Sequence, residues 1–157
     1  MQFYDTYDSP IGLIKITEKD NYIISISLNN TEAVNNEVRK ETTNIALVKR
    51  QLMEYFQGER QQFSFPMRWE GTSFQQSVWR TLQEIPFGEV WTYKDVASRI
   101  GNPKAVRAVG MANHKNPLAI VVPCHRVIGS NGTLVGYAGG LDMKQQLLEL
   151  ERKQNNV

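Results

Sequence analysis

A cysteine, a histidine and an arginine stand side by side at residues 124–126, inside an otherwise apolar segment. Cys124 is the only cysteine, so no disulfide can form within the chain. Basic neighbours such as His125 and Arg126 lower the pKa of a thiol and favour the nucleophilic thiolate. These residue types indicate a reactive cysteine beside a proton acceptor; a buried, chemically inert cysteine is the alternative.

The residues around this trio predict where it lies. Residues 119–122 are apolar and typical of a strand, Pro123 interrupts them, and the apolar pattern resumes at residues 127–128. We therefore expect Cys124 in or beside the core, at a backbone irregularity, with partners for its charged neighbours. One cysteine and two histidines form a weak set of zinc ligands, so we expect no metal site.

Two short helices precede the cysteine segment. The pattern Thr92-x-x-Asp95 is typical of a capping box, and Gly101 is suited to end the helix that it starts. Asn102-Pro103 then predicts the start of a second helix. A tight turn between two short helices indicates a helix-turn-helix. A capping box at Ser73-x-x-Gln76 predicts an earlier helix, and a last helix is expected from residue 142 toward residue 152.

The second helix of the predicted pair has two different faces. Small apolar residues repeat at helical spacing on the expected buried face: Ala105, Ala108, Val109 and Ala112. The expected exposed face is basic: Lys104, Arg107, Met111 and His114. This pattern is typical of a nucleic-acid recognition helix, and equally of a surface helix packed on small residues.

The distribution of charge favours a polyanionic partner. Acidic residues outnumber basic ones in residues 1–71, the reverse holds in residues 72–157, and no acidic residue lies between Asp95 and Asp142. Such a basic block suits DNA. A solvated basic surface is the alternative.

We predict an α+β fold with two domains. Residues 1–70 are expected to form a small strand-rich α/β domain, with strands at 2–7, 13–18, 22–28 and 61–67, a loop at 29–43 and a helix at 44–56. Residues 71–157 are expected to form a helical, winged helix-turn-helix domain that carries the active site. No signal peptide or membrane span is predicted, and a lone thiol is most easily kept reduced in a cytosol-like compartment. A cytoplasmic location is therefore expected, at the nucleoid in a bacterium, and a monomer is the default expectation.

The segment PCHRVIG at residues 123–129 resembles the active-site signature of the O6-alkylguanine-DNA alkyltransferases, also called methylated-DNA–protein-cysteine methyltransferases. The resemblance includes PFGEV at 86–90, GNPKAVRAVG at 101–110, GYAGGL at 136–141 and Lys144, and it spans residues 73–152. It implies direct-reversal DNA repair, in which an alkyl group moves irreversibly from O6-alkylguanine in duplex DNA to Cys124. Each molecule would react once, without a cofactor.

The resemblance also implies roles for individual residues. Cys124 would accept the alkyl group, and His125 would take the thiol proton through a water molecule. Glu151 would hold His125 in its working tautomer. Tyr93 would push the target phosphate and line the base pocket.

The remaining implied residues contact DNA. Arg107 would fill the gap left by the extruded nucleotide, and Asn116 would link the helix-turn-helix to the cysteine segment. The loop at 134–139, with Tyr137, would close over the guanine. Several members have serine where this chain has Ala138, so we expect this pocket to admit bulkier alkyl groups. Further DNA contacts are expected from Thr92, Lys104 and Arg126.

Two other functions agree with the residues alone. A winged-helix regulator could use Cys124 as a redox or alkylation sensor, and would then bind a specific DNA sequence. A Cys-His hydrolase would turn over an ester or amide, but no clear oxyanion-hole motif accompanies the cysteine.

Overall fold

The computed structural model describes residues 1–28, 31–132 and 141–155. The chain divides into two compact units, Met1–Trp69 and Glu70–Val157. The first unit holds a four-stranded sheet and one helix, and the second holds four α-helices of the described chain and a two-stranded sheet. The predicted α+β class is thus confirmed.

The first unit is built on a sheet whose three long strands follow one another in sequence. Strands β1 (Gln2–Ser9), β2 (Gly12–Lys19) and β3 (Tyr22–Ser27) pair antiparallel, as the sequence predicts. Helix α1 (Thr43–Phe56) packs against them, and its apolar side chains bury the inner face of the sheet.

Two predictions for this unit were wrong. The expected loop at 29–43 contains a short strand, β4 (Glu37–Arg39), which pairs parallel with β1. The buried Lys15 ammonium binds the Glu37 carboxylate and so fixes this segment on the sheet. The expected strand at 61–67 forms only one bridge, Met67 to Ile23. There the Gln51 side chain exchanges two hydrogen bonds with the backbone of Ser64, in place of a neighbouring strand.

The second unit carries the elements that matter for the site. They are α2 (Ser73–Leu82), β5 (Trp91–Thr92), α3 (Tyr93–Arg99), α4 (Val106–His114), a 3₁₀ turn (Cys124–Arg126), β6 (Val127–Ile128) and α5 (Leu141–Asn155). The short strands β5 and β6 pair parallel, so the start of α3 and the end of the 3₁₀ turn lie close together. No helix in the described parts of the chain is long and apolar enough to span a bilayer.

The helix starts are set by side-chain caps. The predicted box at Thr92 and Asp95 is confirmed: Thr92 Oγ1 accepts from the Asp95 N–H at 3.0 Å, and the Asp95 carboxylate accepts from the Thr92 N–H at 2.9 Å. The box predicted at residues 73 and 76 lies one residue earlier, at Thr72 and Gln75. Both boxes satisfy backbone donors that a helix N-terminus leaves without partners.

Helix α4 begins later than the Asn102-Pro103 pattern predicts. A hydrogen bond from the Ala105 N–H to the Asn102 carbonyl closes a turn, and the first helical bond runs from Val109 to Ala105. Lys104 therefore lies in the turn before the helix. Val109 and Ala112 are buried as expected, whereas Ala105 is half-buried and Ala108 is exposed. The Trp79 indole donates to the Ala112 carbonyl at 2.8 Å and ties α4 to α2.

Residues 119–122 form a compact turn, so the predicted strand there was wrong. The Val122 N–H donates to the Leu118 carbonyl, and the Val121 N–H donates to that of Ala119. Ile120 has a φ of +72°, a left-handed conformation that a β-branched residue rarely adopts. The chain thus folds back on itself immediately before Pro123 and Cys124.

Candidate active site

Cys124 opens the 3₁₀ turn and is buried, with 3% of its surface exposed. The Arg126 N–H donates to the Pro123 carbonyl at 3.0 Å and closes the turn. Strand β6 follows directly and is anchored on β5. The expectation of a buried cysteine at a backbone irregularity is therefore confirmed.

Two asparagine side chains hold the backbone of this segment. Asn116, just after α4, donates from Nδ2 to the Val122 carbonyl at 2.7 Å and accepts from the Leu118 N–H at 3.0 Å. Asn113, on α4 itself, is 1% exposed and donates from Nδ2 to the Cys124 carbonyl at 3.3 Å. The end of α4 is thereby linked by side-chain amides to the residue that bears the thiol.

His125 and Glu151 form a buried pair. His125 Nε2 lies 2.7 Å from Glu151 Oε2, and the two side chains are 0% and 1% exposed. A carboxylate only accepts hydrogen bonds, so Nε2 carries the proton and Nδ1 is the ring nitrogen left with a lone pair. Nδ1 is buried and has no hydrogen-bond partner within the described residues. This tautomer leaves Nδ1 able to accept a proton from a neighbouring acid.

The charge states follow from the surroundings. Burial lowers the pKa of His125 below its ordinary value; Glu151 opposes this shift, whereas Arg126 and Lys144 add to it. Burial alone would raise the pKa of Glu151, but His125 and Arg126 together lower it well below its ordinary value. Near neutral pH the pair is thus an ionised carboxylate and a neutral imidazole, which is the form a general base needs.

Tyr93 and Lys144 lie within electrostatic range of the Cys124 thiol. Burial raises the pKa of the Tyr93 phenol, Cys124 raises it further, and Asn113 opposes both. The Lys144 ammonium is buried and lies 5.8 Å from the centre of the Tyr93 ring. Burial lowers the pKa of Lys144 to about 8, against the opposing influence of Cys124. A cation here stabilises a Cys124 thiolate in a low-dielectric setting.

Arg126 differs from its predicted role as a DNA contact. It is 6% exposed, and its guanidinium binds both oxygens of Glu151, from Nε to Oε1 at 2.8 Å and from Nη2 to Oε2 at 3.1 Å. Nη1 donates to the Ile85 carbonyl at 2.8 Å. A side chain engaged in this way inside the protein is not presented to a phosphate.

The outer face of α4 is exposed and basic. Arg107, Met111 and His114 are exposed, as predicted, and so is Lys104 in the preceding turn. A groove of about 410 Å³ runs along this face. It is lined by Tyr93, Val106, Arg107, Gly110, Met111, His114 and Lys115. Thr92 lies nearby as the N-cap of α3, where its hydroxyl is used by the backbone.

Two predicted residues, Tyr137 and Ala138, lie outside the described residues. Among the described residues, no three His, Cys, Asp or Glu side chains are grouped so that they could hold a metal ion.

Sequence reasoning missed Asn113 and assigned no role to Lys144. For both residues, the sequence pattern contains a signal that could have identified them as site residues. Asn113 is a polar residue on the buried side of α4, directly after Ala112. Lys144 and Glu151 share one face of α5 with the buried Leu147 and Leu148, at helical spacing. A charged residue on an apolar stripe needs a partner inside the fold.

A helix-turn-helix followed by a buried Cys-His pair, with a carboxylate on the histidine, defines a DNA-binding class of protein with a nucleophilic cysteine. Two family models match the chain: the 6-O-methylguanine DNA methyltransferase ribonuclease-like domain at residues 2–69, and the DNA binding domain of the same family at residues 73–153. The chain therefore belongs to the 6-O-methylguanine DNA methyltransferase family.

Individual relatives agree over nearly the whole length. The chain is 48% identical to the constitutive methylated-DNA–protein-cysteine methyltransferase of Bacillus subtilis, covering 97% of this chain and 96% of the relative. It is 47% identical to the corresponding protein of Methanosarcina acetivorans, covering 95% and 97%. The crystal structure of Mycobacterium tuberculosis OGT in complex with DNA matches with a TM-score of 0.90 at 41% identity, covering 97% and 94%. These matches confirm the family and the fold that the sequence resemblance implied.

Proposed function

We propose that this protein repairs alkylated DNA by moving a methyl or larger alkyl group from O6 of guanine to its own Cys124, once per molecule. The observation that carries this proposal is the buried Cys124 followed by a buried His125 whose Nε2 is bound to Glu151. The family of the chain supports the same reaction, since its relatives are named methylated-DNA–protein-cysteine methyltransferases.

The chemistry is a displacement at the alkyl carbon. His125 Nδ1 accepts the thiol proton through a water molecule, and the Cys124 thiolate attacks the carbon bonded to O6. The S–C bond forms as the C–O bond breaks, and guanine leaves with the electron pair and receives, through water, the proton that His125 accepted from the thiol. The product is a thioether, which no neighbouring group can reverse, so the reaction consumes the protein and needs no cofactor.

The groove along α4 suits duplex DNA in this proposal. The O6 substituent is inside the base stack, so the nucleotide must leave the duplex before Cys124 can reach it. Extrusion costs a few kcal/mol, which an inserted side chain and a fitted pocket can offset. Arg107 is suited to insertion because it is exposed on the groove, while Tyr93 lines the groove on one side and lies near Cys124 on the other.

Residues 71–157 form the DNA-binding and alkyl-accepting domain in this function, and residues 1–70 form the N-terminal domain. The protein acts as a monomer on duplex DNA, in the cytoplasm or at the nucleoid. Thr92, Lys104 and the loop with Tyr137 and Ala138 belong to the proposed DNA contacts. Asn116 links the helix-turn-helix to the cysteine segment. O4-alkylthymine in duplex DNA is a second substrate to test.

The direct test is the intact mass of the protein after mixing with a duplex that holds one O6-methylguanine. We expect a gain of one methylene on the peptide containing Cys124, saturating at one group per molecule. No gain in mass, with the DNA still bound, would support the alternative of a sensor that recognises alkylated DNA without transfer.

Arg107→Ala is expected to slow repair in duplex DNA by roughly 10–100-fold, because the extruded nucleotide then leaves an unfilled gap in the stack. The reaction with free O6-benzylguanine, which needs no extrusion, should be nearly unchanged. The measurement compares both rates for Arg107→Ala and for the matched control Arg80→Ala, an exposed arginine on α2. Equal losses with duplex and free base would contradict an inserted Arg107.

A further inference from the structure

We propose that Arg126 is a positioning residue for the reaction, which holds Glu151 in the one arrangement that orients His125. This inference rests on the proposed alkyl transfer, since His125 is the base of that reaction. It gives a function to two features that the DNA-binding role does not use: the buried guanidinium and the turn at residues 85–88.

The contacts of Arg126 use every part of the guanidinium fork. Nε and Nη2 bind the two carboxylate oxygens of Glu151, and Nη1 donates to the Ile85 carbonyl. Because Glu151 Oε2 is also the atom that binds His125 Nε2, the guanidinium fixes the oxygen that faces the imidazole. A bidentate arginine sets both the position and the plane of a carboxylate, which a single ammonium cannot do.

The turn at residues 85–88 holds the other side of the guanidinium. The Phe87 ring lies 5.6 Å from Arg126 Cζ, within cation–π range, and the Ile85 carbonyl faces Nη1. Gly88 closes the turn with a φ of +82°, and a Cβ there would lie 2.5 Å from the Asn155 side chain at the end of α5. The segment PFG therefore ties Arg126 to the helix that carries Glu151.

The charges around the pair show what Arg126 does to the base. Glu151 favours a protonated His125, whereas Arg126 and the buried Lys144 favour the neutral form. Without Arg126, the pKa of His125 would rise, because one of the charges that favour the neutral ring is lost, and the Glu151 carboxylate would lose its bidentate partner. A protonated imidazole cannot accept the thiol proton, so the loss of Arg126 reduces the fraction of His125 that can act as the base.

The test is the rate of methyl transfer against pH, measured in single-turnover mixing with excess O6-methylguanine duplex. Each molecule reacts once, so the amplitude counts the folded, active protein and the rate constant reports its chemistry. Arg126→Met should lower the rate constant at neutral pH by roughly 10–100-fold, as seen when the partner of an oriented histidine is removed. The transfer rate should fall at low pH as His125 becomes protonated, and this acid limb of the profile should move to higher pH in Arg126→Met, because a charge that favours the neutral ring is lost.

Two further variants separate positioning from folding. Arg126→Lys keeps the positive charge but not the bidentate guanidinium. The acid limb of its pH profile should therefore stay near that of the wild type, while its rate constant for methyl transfer falls. Arg152→Met removes an exposed arginine next to Glu151 and should change neither quantity. Wild-type rate and acid limb in Arg126→Met would overturn the inference. If Arg126→Met has no amplitude, a wild-type rate constant in Arg126→Lys overturns it.

A measurement without DNA keeps this inference separate from the proposed function. Nitrogen-15 NMR of the imidazole, recorded against pH, should show a neutral, Nε2-protonated His125 in the wild type near neutral pH, and protonation of the ring at a higher pH in Arg126→Met than in the wild type. An unchanged titration of the ring in the variant would overturn the role of Arg126. Absence of methyl transfer by the wild type, with these NMR spectra as expected, would instead reject the proposed function alone.

Discussion

Cys124→Ala is expected to reduce methyl transfer to an undetectable level while binding to an O6-methylguanine duplex changes little. The chain has no second thiol, and no other nucleophile adjoins His125 in the 3₁₀ turn. The proposed DNA-binding surface lies on α4 and does not include the thiol. The measurements are mass spectrometry of the protein after incubation with the duplex, and the dissociation constant of the same duplex at a fixed salt concentration.

Cys124→Ser is the matched variant, because it keeps the size of the buried side chain. A hydroxyl is a far weaker nucleophile than a thiolate near neutral pH, so Cys124→Ser should also fail to accept the methyl group. Persistent transfer in either variant would contradict Cys124 as the acceptor. A large loss of duplex binding in both would contradict the separation of binding from chemistry.

Glu151→Gln is expected to lower the transfer rate by roughly 10²–10⁴-fold, the range seen when the carboxylate partner of a catalytic histidine becomes an amide. The amide can donate to His125 Nε2, which would move the ring proton to Nδ1 and block the base. The change also leaves the buried Arg126 without its counter-charge, which costs about 3–5 kcal/mol of unfolding free energy. Rates come from single-turnover mixing, and stability from urea unfolding.

The pH dependence of that stability has a defined sign. The pKa of Glu151 in the folded protein lies well below its ordinary value of 4.5, so its contribution is complete above that value and is lost as the pH falls below it. The gap in unfolding free energy between wild type and Glu151→Gln should therefore narrow on acidification below about pH 4.5. Glu149 is exposed on the same helix and offers a control, since Glu149→Gln should show no such gap in unfolding free energy. A gap that is constant with pH would contradict a buried, ionised Glu151.

Local signals in the sequence predicted much of the fold and of the site. The cap at Thr92 and Asp95 and the Cys-His pair are formed by residues within a few positions of each other, and both were found as expected. The partner of Arg126 was not predictable in that way, because Ile85 and Glu151 are distant in sequence. An arginine beside a reactive cysteine in a DNA-binding protein suggests a phosphate contact until its burial is known.

Strand β4 and the turn at residues 119–122 were missed for related reasons. β4 depends on the ion pair between Lys15 and Glu37, which polar composition alone does not reveal. The apolar turn was mistaken for a strand because burial and strand formation favour the same side chains. The left-handed backbone of Ile120 and the hydrogen bond from the Asn116 amide distinguish the turn from a strand, and both are properties of the folded chain.

The side chains of Asn113 and Asn116 lie at the end of α4 and hold the carbonyls of Cys124 and Val122. One short stretch of chain thus serves the helix that we propose for DNA binding and also holds the backbone of the reactive residue. DNA binding and the position of the reactive cysteine therefore evolve together. A substitution at the end of α4 that raises the affinity for DNA also moves the nucleophile. Such a substitution is retained in evolution only if both binding and alkyl transfer remain functional. On α5, Glu151 acts on His125 and Lys144 acts on the thiolate, and neither lies on the proposed DNA-binding helix, so both are free of this double constraint.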